Sequence, residues 1–151
     1  MKINLTKKEY RLLIEMLYLS DWVMHSHQAE LRYTEHEAIK NKILSLYKEM
    51  DAEEILEYSS DLGEVFEKDE FDAYLQEKFI APFEEQVFWE ALIDELGERD
   101  VIKALGIDAY RMLDGFERVR KVENYKELYA NEFQQHGLEN VKIDYKDRVK
   151  N

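Results

Sequence analysis

Asp21, His25, His27 and Glu30 fall within the short stretch "SDWVMHSHQAE" at 20–30, with His36 a little further on. Imidazoles and carboxylates are the groups that ligate divalent metals and move protons near neutral pH. Asp21 and His25 stand four apart, one helical turn, so the imidazole N–H can donate to the carboxylate and hold one tautomer. His27 is the obstacle, because a two-residue step turns it roughly 200° away from His25 on a helix. Bringing His27, Glu30 or His36 onto the same spot requires a break near residue 26, where neither Gly nor Pro stands. The expectation is therefore the polar end of a helix, with no metal and no cofactor. An enzyme using Asp21 and His25 as acid and base, with or without a metal, is the alternative reading.

Two further sets of residues suggest contact rather than catalysis. Arg11, Glu15, Tyr18, Trp22 and His25 form one stripe at helical spacing, polar at its base and aromatic at its top. Trp22 there is either covered by another helix of the chain or offered to a partner, which makes Tyr18 and Trp22 candidates for an interaction surface. The second set is acidic. Residues 51–100 hold 18 Asp and Glu against Lys68, Lys78 and Arg99, in a chain of net charge −13. Their own basic partners cannot neutralise them, so a negative face is expected along Glu84, Glu85, Glu90, Asp94 and Glu95, and along the stretch Glu64 to Asp72. Such a field repels phosphates, and the one basic cluster, "RVRK" at 118–121, reads as an internal counter-charge. Nucleic acid is not an expected partner.

Motif searches exclude more than they suggest. The five glycines never cluster into a phosphate-binding loop, and the absence of cysteine removes disulfides, thiolate metal sites and cysteine nucleophiles. "HEAIK" at 36–40 carries Lys40 where a zinc protease needs its second histidine, and no Glu-x-x-His pair of a di-iron bundle is present. No segment resembles a signal peptide or a membrane span, so a cytoplasmic setting is expected. These readings converge on a non-enzymatic protein-interaction or regulatory module with an unidentified, basic protein partner. An acidic decoy that sequesters a basic nucleic-acid-binding protein through 51–100 is the alternative, and self-association into a homodimer is a further mode.

The elements that would position these residues are helical. The length suits a single acidic helical domain over 1–151, and one proline with few glycines favours long helices. The expected fold class is all-α, a bundle of about five to seven helices. "LTKKEY" is a capping box, and two adjacent apolar stripes (Tyr10, Ile14, Leu17; Leu12, Met16, Leu19, Val23) predict a first helix buried over most of its circumference. A second box, Thr34 to Glu37, opens the next helix, and Asp51 with Glu54 predicts a short third one over "AEEILEY". Further helices are expected over 69–80, 82–97 and from Asp108 to Gly137, with a stop at Gly97. Only "KINL" and "VKIDYK" (141–146) alternate apolar and polar residues, which predicts a short two-stranded pairing of the chain ends.

Overall fold

The structure, a computed structural model, describes residues 3–26 and 33–142. The chain is mainly helical, and among the described residues it forms one small sheet, a two-stranded antiparallel hairpin. It divides into two compact units, Met1–Phe83 and Glu84–Asn151.

In the first unit, α1 (Lys7–His25) begins as the sequence predicts. Thr6 Oγ accepts the Glu9 N–H at 3.2 Å, and the Glu9 carboxylate accepts the Thr6 N–H at 2.8 Å. Tyr10, Ile14 and Tyr18 are buried, with Leu17 packed beside them. The second apolar stripe departs from expectation: Leu12, Met16 and Val23 are 48%, 67% and 68% exposed. α1 instead makes its further contacts through the flank that carries charge, where Glu15 is half-buried and Arg11 stays exposed. Arg11 pairs with Glu54, Glu15 lies 3.8 Å from Lys78, and the Tyr18 hydroxyl donates to Asp72. Polar side chains whose tips all find partners cover a helix at little cost.

α2 (Thr34–Leu44) starts at Thr34 itself, with Tyr33 as its N-cap and no capping side-chain bond, so the predicted Thr34–Glu37 box does not form. Leu44 reaches the core, while Ile39 stays 60% exposed. Tyr10 ties the two helices together: its hydroxyl donates to the Ile43 carbonyl at 2.9 Å, and burial pushes the phenol up to about 12. Leu44, Tyr47, Ala52 and Leu56 close the cluster around Tyr10 and Ile14.

The predicted helix over "AEEILEY" is instead a turn followed by β1 (Leu56–Ser59), paired with β2 (Glu64–Glu67) in the register Leu56↔Glu67 to Ser59↔Glu64. The cause is local. Asp51 has φ 50°, which no helix continues through, and Arg11 Nη2 holds its carbonyl at 3.2 Å while Lys7 takes its carboxylate. Strand geometry then sends Leu56 inward and Glu57 outward. Of the segments predicted to pair at the chain ends, Ile3–Leu5 and Val141–Lys142 are not in strands, and Lys2 and 143–146 lie outside the described residues.

From β2 the chain enters α3 (Asp69–Leu75), a π-helical turn (Gln76–Ile80) and α4 (Ala81–Leu105) without a break. The Ala81 N–H bonds the Gln76 carbonyl, five residues back. This wider turn comes just before Pro82, whose ring would press on the carbonyl of an ordinary turn. Leu75 and Ile80 are buried together against Tyr18.

The second unit holds α4 from Glu84 onward, α5 (Ile107–Met112) and α6 (Gly115–His136). α4 runs through Gly97, where a stop was expected. Gly97 serves close approach: a Cβ there would lie 2.9 Å from Lys126 Cγ and 3.4 Å from the Val122 carbonyl oxygen. The two helices are antiparallel, with Trp89 against Phe133 at 5.4 Å and Asp94 against Lys126 at 2.8 Å. Asp114, rather than Asp108, caps α6 by accepting the Glu117 N–H at 2.8 Å, and Asp108 sits inside the short α5. α6 ends as predicted, with Gly137 at φ 54° donating to the Phe133 carbonyl at 2.9 Å.

Candidate functional site

The polar end of α1 gathers residues from three elements of the first unit, α1, α2 and β2. Lys40 of α2 places its ammonium 3.1 Å from Asp21 Oδ2 and 3.2 Å from Glu67 Oε1 of β2. The Lys40 and Glu67 side chains are only 17% and 9% exposed. Burial works against the ammonium, but Glu67 and Asp21 outweigh it and hold the Lys40 pKa above its ordinary value. The other Asp21 oxygen meets His25 Nδ1 at 2.9 Å, and the Tyr33 N–H points at His25 Nε2 at 3.4 Å. Together these contacts assign the ring proton to Nδ1 and make His25 a bridge from the end of α1 to the cap of α2.

The rest of the predicted cluster is partly drawn in. Tyr33 lies between His25 and His36, with ring centroids 5.7 and 5.8 Å away. His27 and Glu30 lie outside the described residues. Leu17, Ser20, Asp21, Met24, His36, Ile39 and Lys40 line a small cavity of 80 Å³. Among the described residues, no group of three or more His, Cys, Asp or Glu is placed to hold a metal ion. With both Asp21 oxygens engaged and Lys40 held charged, the network fastens α2 and β2 onto α1.

Lys40 and Glu67 escaped the sequence reading. Lys40 precedes Ile43 and Leu44 by three and four residues, which places it on the core-facing side of α2, and that spacing was the available signal. Glu67 had none, since its position depends on a hairpin whose first strand was read as a helix.

Tyr18 and Trp22 turn inward. Tyr18 is buried, its hydroxyl donates to Asp72, and the Gln76 amide donates to it at 2.7 Å. Burial, followed by the Asp72 bond, pushes this phenol up to about 12. Trp22 packs half-buried against the Tyr18–Leu75–Ile80 cluster.

The acidic face is present on the second unit. Glu84, Glu85, Glu90, Asp94 and Glu95 are all exposed along α4. Asp94 pairs with Lys126, and Glu90 accepts from Gln86 at 2.8 Å. Val87 and Phe88 lie among them, 44% and 48% exposed, with the Phe88 ring edge-on to Trp89 at 5.0 Å. Further along α4, Asp100 receives Arg99 at 2.8 Å, the Tyr129 hydroxyl, and Lys103 at 3.2 Å. The Arg99 and Tyr129 bonds hold its carboxyl well below the usual carboxylate range.

Among the described residues, no helix is long and apolar enough to cross a membrane. No family model, no curated protein and no solved structure matches the chain.

Proposed function

We propose that this chain is a non-enzymatic protein that acts by contact with a basic partner protein, through the N-terminal half of α4 in the second unit. One observation carries the reading: Val87 and Phe88 stand nearly half exposed within a frame of Glu84, Glu85 and Glu95. An aromatic anchor ringed by like charge is the pattern of a contact whose charges steer the encounter while an apolar centre supplies affinity. The lack of cysteine suits a reducing, cytoplasmic setting. The test places a photo-crosslinking amino acid at Phe88 in cells and identifies the adduct. A single defined protein, lost when Glu84, Glu85 and Glu95 are changed to Lys, supports the reading, and an absence of any adduct sinks it. Capture that survives Phe88→Ala but disappears with added salt would make charge alone sufficient. That outcome describes the acidic decoy acting through 51–100.

A further inference from the structure

The β1–β2 hairpin overhangs the core of the first unit, and a cleft of 640 Å³ lies between it and the end of α2. Strand alternation puts Tyr58 on the same side as the buried Leu56, yet Tyr58 is 56% exposed. Its cross-strand neighbour Val65 lines the cleft with Tyr47, and both pack into the cluster around Tyr10. The cleft therefore has a floor fixed by the core and an aromatic ring standing free above it. A ring held in that way is a surface for an apolar group from outside.

The charges of the cleft are of opposite sign. Lys48, just after α2, and Glu64, at the start of β2, both line it. Neither forms an ion pair among the described residues. The Lys48 ammonium is kept over the floor, 5.6 Å from the centre of the Tyr47 ring. The Asn41 side-chain amide, half-buried in the wall formed by α2, also has no hydrogen-bond partner among the described residues. A simple anion would meet the Glu64 carboxylate and the field of a chain of net charge −13, and a simple cation would leave Lys48 unpaired. Both charges are satisfied at once by a ligand that carries both signs.

We propose that this cleft binds a zwitterion with an apolar body, of the class of free amino acids and short peptides. Its carboxylate meets Lys48, its ammonium meets Glu64, and its apolar side chain lies against Tyr58 and Val65. Asn41 hydrogen-bonds the polar atoms between the two charged ends. The volume favours a short peptide over a single amino acid, since it falls well inside the range of about 300–1,000 Å³ that holds larger organic ligands.

The test uses the full chain and the dipeptide valylphenylalanine, followed by nuclear magnetic resonance. The free dipeptide should shift the Tyr58 ring and the Glu64 and Val65 amides in a saturable way. Acetylating its amine or amidating its carboxylate should each weaken binding about tenfold. Glu64→Gln should abolish the penalty of acetylation and keep that of amidation, and Lys48→Gln should do the reverse. Both positions are exposed, so both variants should keep the helix content of the parent by circular dichroism. Phenylalanine alone separates the two sources of the ligand: equal affinity makes it a free amino acid, and weaker affinity makes it a peptide. No saturable shift at millimolar dipeptide, or shifts indifferent to both modifications, overturns the proposal. The cleft lies wholly in the first unit, so its failure leaves the partner reading at Phe88 untouched.

Discussion

The two units use the same acid-rich, aromatic-rich composition to different effect. In the first, Tyr10, Ile14, Tyr18, Leu44, Tyr47, Ala52, Leu56, Leu75 and Ile80 are all buried. In the second, only Val101, Tyr110 and Phe133 are buried apolar residues among those described. The difference lies in the number of neighbours each helix has within its unit. α1 is flanked by α2, the hairpin and α3, whereas α4 and α6 chiefly have each other, with the short α5 at one end. Two helices in one layer can cover only the line along which they touch. The remaining apolar residues, such as Phe116 at 79% and Val119 at 65%, stay on the surface. A core therefore depends on layers more than on hydrophobic content.

Four measurements can sharpen or break this contrast. The largest effect is expected from Leu44→Ala, at a position with no exposure, which should cost about 3 kcal/mol in urea unfolding, while Val101→Ala should cost about half of that. Equal losses would mean that the second unit is as tightly packed as the first. Next comes Gly97→Leu, which must displace the Lys126 stem and meet the Val122 carbonyl, at about 2 kcal/mol. Amide exchange should then speed up along α6 but not along α1. Uniform acceleration would show that the two units unfold as one.

A matched pair of hydroxyl deletions follows. Tyr18→Phe strands Asp72 and Gln76 inside the first unit and should cost about 1 kcal/mol, whereas Tyr129→Phe, nearer solvent, should cost about half of that. A reversed order would make the Asp100–Tyr129 contact the stronger anchor. The smallest effect is a pH dependence. The carboxyl of Asp100 is depressed in the folded state, so its stabilisation is fully present above the unfolded carboxyl value of ~3.9 and fades as pH falls towards the folded value. Asp100→Asn should therefore lower the melting temperature at neutral pH and make little difference in strong acid. A difference that persists in strong acid would show that Asp100 acts by shape and not by charge.

Some of the helix starts and stops written in short-range chemistry were legible in the sequence, although the equally local Thr34–Glu37 box does not form and Asp108 does not cap α6. The Thr6–Glu9 box and the Gly137 terminus are both where local rules put them, because their bonds lie within four residues. Features that depend on long-range partners were not legible. Asp51 turns the chain because Lys7 and Arg11, some forty residues earlier, hold it there. For the same reason the hairpin, and with it Glu67 beside Lys40, could not be read from its own residues. Gly97 was misread in the other direction: the sequence shows the absence of a side chain, and only α6 explains what that absence is for. In the candidate cluster, the Asp21–His25 pair followed from helical spacing, while the cation that completes it had to be supplied by α2.

The π-helical turn at Gln76–Ile80 has a consequence for how this region can change over evolutionary time. It behaves as a single inserted residue absorbed within a continuous helix, and it lets Leu75 and Ile80, five apart, reach one cluster around Tyr18. In a regular helix, residues five apart diverge by about 140°. Losing one residue from 76–79 would leave Leu75 and Ile80 four apart, about 40° on a regular helix, so both would still reach the cluster around Tyr18. The wider turn thus takes up one residue without rephasing the helix on either side of it. The stretch should therefore vary by one residue in length among descendants while Leu75 and Ile80 stay apolar.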